Sequence, residues 1–333
     1  MKIFVYSSTY LPNVGGLENI MAGLVTEWSN LGHKVTVATK ALKKDHVEHN
    51  MNYAIVRNPG LLSFFQLAKK SDILLEANLS LKTIIVGLLL KKKWVVIHHL
   101  PYSHQNTLTG KIKNIFTFFS RNISVSNYVA NTLLGKSAVI NNFYNPLYLN
   151  LSITRRPFSL LFVGRLVNDK GVLLLLKAFL KLKKEFANIS LVIVGEGDEK
   201  DRLIEFVSDN DLKDHVSFYG SKYPEELCHI YNQAKAVVIP SIWDEPFGIV
   251  ALEGMACGCL IACSNKPGLR ESTGGLAFEF DPESPESICS ALKNALAFYP
   301  SHEYEKAVSD HLEKHERKLV AQQYIELFEN SCL

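Results

Sequence analysis

The chain has 333 residues, 47% of them hydrophobic and 21% charged, and it contains no low-complexity run. This is an ordinary globular composition, and the length suggests two domains, each long enough to bury its own core. The net charge of +3 hides a split: residues 1–150 hold 16 Lys/Arg against 6 Asp/Glu, a net +10, and residues 151–333 hold 20 against 27, a net −7. Such a split implies that one domain faces something anionic, either nucleic acid or a membrane surface.

The opening MKIFVYSS is too short an apolar run for a signal peptide, and residues 83–90 fall far short of the ~20 needed to span a bilayer. The expectation is a cytoplasmic protein without a transmembrane helix. Residues 2–6 read as a buried strand. The loop 10–16 follows, then a helical pattern at Leu17, Ile20, Leu24 and Trp28, and an alternating strand at 34–39. This β-loop-α-β unit implies a parallel sheet. Further strands read at 73–76, 94–98 and 123–125.

The segment 145–157, with Pro146, Arg155, Arg156 and Pro157, has the composition of a linker. The pattern then restarts. Strands read at 159–163, 190–194, 216–219, 236–239 and 260–262, with helices at 171–186 and 199–208 and a final helix over 310–330. The fold class is therefore α/β: two doubly wound, Rossmann-like domains facing across a cleft, with ligands at the carboxyl ends of the strands. The domains are 1–150 and 151–310, with 311–333 a terminal helix.

Four segments carry chemistry. In PNVGGLEN, residues 12–19, Gly15 and Gly16 permit close backbone approach and the helix start offers free N–H groups, which suits a phosphate; a tight turn gives the same pattern. In LFVGRLVNDKG, residues 161–171, Arg165 and Lys170 follow a strand's carboxyl end. Two cations there can hold a diphosphate, each charge-assisted contact worth about 1.5–3 kcal/mol, although a solvated loop has the same composition. In PSIWDEPFGIVALEGMACG, residues 240–258, Glu245 precedes a Pro–Phe–Gly turn and Glu253 lies eight residues later. Pro246 suits the start of a helix, where the N–H groups of Phe247, Gly248 and Ile249 are free for an anion or sugar oxygens. At ~1.5 Å per helical residue the carboxylates stand about 10 Å apart, a span that suits one on a sugar and one on a ribose. Glu253 in an apolar helix must be paired or hydrogen-bonded, and a buried structural carboxylate is the plain alternative. In VVIHHLPY, residues 95–102, His98 and His99 end a buried strand, where a histidine is either structural or a ligand group.

Other signals are set aside. Asp209–Asn210–Asp211 imitates a metal triplet but falls in a helix-to-strand turn. His311 and His315 are four apart on a helix without a third ligand. Gly195 and Gly197 follow a strand but lack the third glycine and distal acid of a dinucleotide site; Gly195 remains a candidate in the donor loop. The cysteines, Cys228, Cys257, Cys259, Cys263, Cys289 and Cys332, have no histidine near their densest stretch, so they read as buried thiols in a reducing compartment.

Together these motifs resemble the family-4 retaining glycosyltransferases of the GT-B fold, over nearly the whole chain and most strongly from residue 160 to 271. GGLE with GHKVTV resembles the family's opening. LFVGRLVNDKG resembles its diphosphate segment, and LVIVGEGDEKDRL, HVSFYG and the E-x7-E segment follow in the family's order. PGLRE, residues 267–271, resembles the part that closes over the donor, and the resemblance implies that the terminal helix, 311–333, crosses back to the first domain. The resemblance implies catalytic roles for His99 and Glu245, with HLP similar to the H-x-P of related mannosyltransferases and His98 as the alternative histidine. It implies donor binding by Gly15, Gly16, Arg165, Lys170, Gly195, Pro246, Phe247, Gly248, Ile249 and Glu253, with Glu245 on the transferred sugar, Glu253 on the ribose and residues 215–222 flanking the base. Departures are Gly254 for the usual alanine, Asn142–Phe143 for Asn–Gly, and a missing tryptophan before the last helix.

The resemblance implies retaining transfer from a nucleotide-diphosphate sugar to a saccharide or lipid-linked saccharide, as in cell-surface polysaccharide or lipopolysaccharide synthesis. No metal is expected, because Arg165 and Lys170 supply its charge, and no cofactor, because the nucleotide sugar is a substrate. A nucleotide-sugar 2-epimerase shares the fold and is the alternative. A two-lobed solute-binding protein would need a signal peptide, and a nucleic-acid partner is not expected because no recognition module is visible. The basic half is expected to dock peripherally on an anionic membrane at its inner face: Lys91, Lys92 and Lys93 follow the apolar run 84–90, and Lys111, Lys113 and Arg121 flank Ile112, Ile115, Phe116, Phe118 and Phe119.

Overall fold

The structure, a computed structural model, describes residues 1–13, 15–42, 51–90, 94–102, 107–153 and 157–330. Val14 of the glycine loop, Lys91, Lys92 and Lys93 of the basic run, Arg155 and Arg156 of the linker, and Cys332 lie outside the described residues. The chain forms two compact units, Met1–Phe143 with His315–Leu333, and Tyr144–Lys314.

The first unit runs β1 (Lys2–Ser7), α1 (Gly16–Asn30), β2 (Lys34–Thr39), β3 (Ala54–Arg57), α2 (Leu61–Lys70), β4 (Ile73–Ala77), α3 (Leu81–Leu90), β5 (Trp94–His98), α4 (Leu108–Phe116), β6 (Arg121–Ser124), α5 (Asn127–Ala130) and β7 (Ser137–Val139). Its strands form one seven-stranded parallel sheet in the order β3-β2-β1-β4-β5-β6-β7. The winding reverses between β1 and β4, whose Ile3 and Ile73 are in register. Every residue of β4 and β5 is buried, which is why both read as continuous apolar runs: helices cover a parallel sheet on both faces. Glu76 in β4 breaks that rule. Its carboxyl accepts bonds from Thr83 Oγ1 (2.6 Å), the Ser80 amide (3.2 Å) and Trp94 Nε1 (2.9 Å), so the start of α3 is tied to the sheet. Burial pushes this carboxyl up to about 7, and the three donors make it tolerable.

The second unit runs β8 (Phe158–Val163), α6 (Val172–Lys183), β9 (Leu191–Val194), α7 (Lys200–Asp209), β10 (Val216–Gly220), α8 (Pro224–Gln233), β11 (Ala234–Ile239), α9 (Ile249–Ala256), β12 (Leu260–Ser264), α10 (Pro267–Thr273), β13 (Phe278–Phe280), α11 (Pro285–Ala297) and α12 (His302–Glu313). Its six parallel strands are ordered β10-β9-β8-β11-β12-β13, so the winding reverses between β8 and β11. The loops leaving β8 and β9 press backbone on backbone. Gly195 has φ +138°, and a Cβ there would stand 1.9 Å from the Gly164 carbonyl oxygen. Gly195→Ala is therefore expected to cost about 3 kcal/mol or more of stability and lower Tm by several degrees, since it combines strain with a clash against immobile backbone. A melting curve unchanged from the parent would contradict this packing.

The last helix, α13 (Arg317–Asn330), packs against α1 within the first unit. Trp28 is fully buried between Tyr324 and Phe328, with ring centroids 5.8 and 5.7 Å away, and its Nε1 donates to the Ala321 carbonyl at 3.0 Å. The buried Glu27 pairs with Arg317 at 2.7 Å. The aromatic anchor of this contact thus comes from α1, in a chain whose last helix carries no tryptophan of its own. The single helix expected over 310–330 is two, α12 and α13, broken at 314–316. His315 is buried there and its Nδ1 bonds the Asn142 carbonyl at 2.8 Å. No glycine or proline marks the break, so the periodicity runs through it. The units divide at Phe143/Tyr144, a few residues before the expected 150/151, because Tyr148 packs on Tyr231 and the Leu149 carbonyl accepts from Asn232 Nδ2. No helix among the described residues is long and apolar enough to cross a membrane.

Candidate active site

In the second unit the reversal point places the loops after β8 and β11 side by side, where a doubly wound sheet binds ligands. The Ile242 amide donates to the Asp169 carbonyl at 2.9 Å and stitches the two loops together. Asn168–Lys170 form a short 3-10 turn that delivers Lys170 to Glu245. The Lys170 ammonium donates to Glu245 Oε1, and Ser241 Oγ donates to the same oxygen at 2.6 Å. Both bonds fall on Oε1, which leaves Oε2 without a protein donor among the described residues. Lys170 Nζ also sits 5.8 Å from the centroid of the Trp243 ring, and Lys266 pairs with the neighbouring Asp244 at 3.1 Å. Glu245 is buried. The desolvation of a largely buried ion pair cancels most of its attraction, so this pair contributes little as bracing. Arg165 leaves the same loop exposed.

Beyond Glu245 the chain turns through Pro246 and the fully buried Phe247 to Gly248, whose φ is +94°. Gly248 is the N-cap of α9, so the helix opens at Ile249. Pro246 is thus not at the helix start, as its ring geometry suggested; the left-handed glycine two residues on delays it. Glu253 lies in the second turn of α9, and Oε2 accepts from the Tyr231 hydroxyl at 3.0 Å. Desolvation raises this carboxyl to about 7 against the opposing pull of Tyr231. Gly195, by contrast, packs on the β8 loop through its backbone.

In the first unit, Gly15 caps α1 with extended backbone and Gly16 is the first helical residue. The Glu18 carboxylate folds back beside Gly15, over a helix start whose partial positive charge favours it. At the end of β5 the two histidines differ. His98 Nε2 meets Asn122 Oδ1 at 2.9 Å, and Asn122 Nδ2 donates to the carbonyls of Thr117 and Lys136. That fixes Oδ1 as the acceptor and His98 as the Nε2–H tautomer, with Tyr102 edge-on to its ring. His99 is held through its backbone, whose amide donates to Asn78 Oδ1 at 2.8 Å. Its Nε2 and the Nδ1 of His98 are buried without a partner among the described residues. Burial pushes His99 down to about 3, with His98 adding to the effect, and His98 down to about 4. Both rings are neutral at neutral pH. Asn122 engages Nε2 of His98, whereas Nε2 of His99 has no partner among the described residues.

The structure brings Lys170 and Glu245 together and adds Ser241, Tyr231, Asn78 and Asn122, which the sequence did not reveal. Tyr231 lies 22 positions before Glu253 and meets it only through the packing of α8 on the sheet. Asp209 ends α7 and Asp211 is a left-handed turn residue. His311 Nε2 bonds the Ser272 carbonyl at 2.8 Å, which employs it structurally. Among the described residues no group of three His, Cys, Asp or Glu could hold a metal ion, and the described cysteines are free and buried.

Residues 151–307 match the family model for glycosyl transferases group 1. The glycosyltransferase MJ1607 of Methanocaldococcus jannaschii is 28% identical, over 98% of both chains. The lipopolysaccharide 1,2-N-acetylglucosaminetransferase of Salmonella typhimurium is 34% identical over 54% of this chain, which spans only 50% of that protein's length in the match. The solved structure of Anabaena HepE in complex with UDP aligns with a TM-score of 0.82 at 18% identity, over 99% of this chain and 100% of that one. HepE has also been solved with UDP-glucose. At that identity the likeness shows the fold, GT-B.

Proposed function

We propose that this chain, whose residues 151–307 match the model for glycosyl transferases group 1, transfers a sugar from a nucleoside-diphosphate sugar to a saccharide or lipid-linked saccharide, retaining the configuration of the anomeric carbon. The observation that carries the reading is the Lys170–Glu245–Ser241 cluster at the reversal point of the second sheet. The donor belongs to this unit and the acceptor to the first, where His99, with a buried ring nitrogen lacking a partner among the described residues, is the candidate group. As the bond from the sugar to the diphosphate breaks through an oxocarbenium-like state, negative charge grows on the leaving group. Lys170 and Arg165 meet it as fixed cations, so the reaction needs no added metal or cofactor. Glu245 Oε2 receives hydroxyls of the transferred sugar, the free N–H groups near Gly248 receive phosphate or sugar oxygens, and Glu253 receives the ribose. The similarity to a lipopolysaccharide transferase supports a cell-surface saccharide as acceptor.

Thermal shift with UDP-, GDP- and ADP-sugars tests the reading. One nucleotide series should raise Tm by several degrees, since ligand at about a hundredfold over Kd adds about 2.7 kcal/mol. No shift with any of them, or an equal shift with the free sugar alone, contradicts it. The ribose role carries its own pH signature. A diol donates best to an ionised carboxylate, and in the free protein Glu253 ionises only near 7. Its protonated form dominates below that value, so donor KM is expected to rise as pH falls through about 7, by up to tenfold per unit. In Glu253→Gln that slope should vanish. A wild-type KM that is flat from pH 8 to about 6 removes Glu253 from the donor site.

A further inference from the structure

We propose that one end of the first unit is a docking surface for an anionic lipid bilayer, independently of the donor assignment. Helices α2, α3 and α4 cover one face of the first sheet, where Phe64 and Ala68, Ile84 and Val86, and Phe116 pack against a single core cluster. In a parallel α/β unit each connecting helix runs opposite to the strands, so the three helices end together at the amino edge of the sheet. His98 and Asn78 stand at the carboxyl edge. Exposed apolar side chains stand at the starts of these helices, as Leu62 and Leu108 do, and also toward the amino-edge end. Ile85 and Leu89 on α3 are 65% and 67% exposed, and Phe118 and Phe119, directly after α4, are 64% and 63% exposed.

These side chains are not exposed for want of structure around them. Thr107 caps α4 by accepting from the Gly110 amide. Asn114 Nδ2 donates to the Thr132 carbonyl and its Oδ1 accepts from the Leu134 amide. Thr117 Oγ1 accepts from the Gly135 amide at 2.8 Å. A frame of polar contacts, closed by the buried Thr117, therefore fixes the backbone that carries Phe118 and Phe119. Cations lie on the same group of elements: Lys69 and Lys70 end α2, Lys111 stands exposed on α4, and Arg121 opens β6 at the amino edge. Aromatic and aliphatic groups flanked by cations of one sign fit a bilayer interface, where rings enter the acyl boundary and lysines meet lipid phosphates. A second copy of this chain would bring like charges together, which argues against it as the occupant.

Co-sedimentation of the full chain with vesicles decides the matter, using phosphatidylcholine alone and phosphatidylcholine with phosphatidylglycerol, at low and high salt. The expected result is binding to the anionic vesicles that weakens with salt. Phe118→Ser with Phe119→Ser, and separately Lys111→Glu with Lys113→Glu, should each reduce the partition coefficient on the order of tenfold or more. Both double variants should keep the parent Tm, and if the aromatic pair unfolds the lysine pair alone decides. No binding to anionic vesicles overturns the proposal, as does equal binding to neutral ones or indifference to the lysine pair. So does a dimer in light scattering that Phe118→Ser with Phe119→Ser dissociates while the parent leaves vesicles unbound.

Discussion

Lys170→Ala is expected to lower kcat on the order of 10²–10³-fold, the range seen when a fixed group that stabilises developing negative charge is removed. The turn Asn168–Lys170 sets the ammonium beside Glu245 before any ligand arrives, so the cation needs no reorganisation during reaction. Its charge acts in a largely dehydrated place, where charge–charge interactions are several times stronger than in water. Lys170→Arg should recover only part of the loss, since a planar guanidinium cannot occupy the site of a compact ammonium under Trp243. The assay is run in excess EDTA, because the same cations are held to do the work of a metal. A Lys170→Ala enzyme within about threefold of the parent, or a parent silenced by EDTA and restored by magnesium, would remove Lys170 from the leaving-group role.

Glu245→Gln should lower kcat about tenfold to a hundredfold while changing donor KM much less. The substitution keeps the shape and can keep the bond from Ser241, but it turns a carboxylate into an amide. Charge-assisted bonds to the sugar hydroxyls are worth about 1.5–3 kcal/mol, and they tighten as the ring flattens in the transition state. The parent ion pair also makes the two residues one unit, so their effects should not add. The double variant Lys170→Ala, Glu245→Gln should be no slower than a few-fold below Lys170→Ala alone. Full additivity would mean that the two side chains act in separate places, against the contact in the structure.

Much of the second unit was legible because its functional loops leave buried strands of short apolar residues. The strands expected at 159–163 and 216–219 lie within β8 and β10, and Glu253 stood out as a charge in an apolar helix. The legible part ends where long-range packing begins. Strand β3 is only partly buried and β7 is short and half exposed, so neither has a pattern that its sequence can carry alone. The break at 314–316 is set by His315 binding the Asn142 carbonyl, a partner 173 positions away. Glu76 looks like one more strand residue until Thr83, Ser80 and Trp94 are seen around it. The two histidines are adjacent in sequence, and their different partners, Asn122 on the next strand for His98 and Asn78 for the His99 backbone, come from the fold.

The most direct measurement follows the anomeric proton by NMR during slow turnover of whichever nucleotide sugar stabilises the protein. The account predicts that the bond between sugar and diphosphate breaks, that nucleoside diphosphate accumulates, and that the first product carries the anomeric configuration of the donor. Glu245→Gln should slow that signal in step with its kcat. A first product of opposite configuration would contradict retention. A sugar that stays on its diphosphate while its C2 centre inverts would contradict transfer itself.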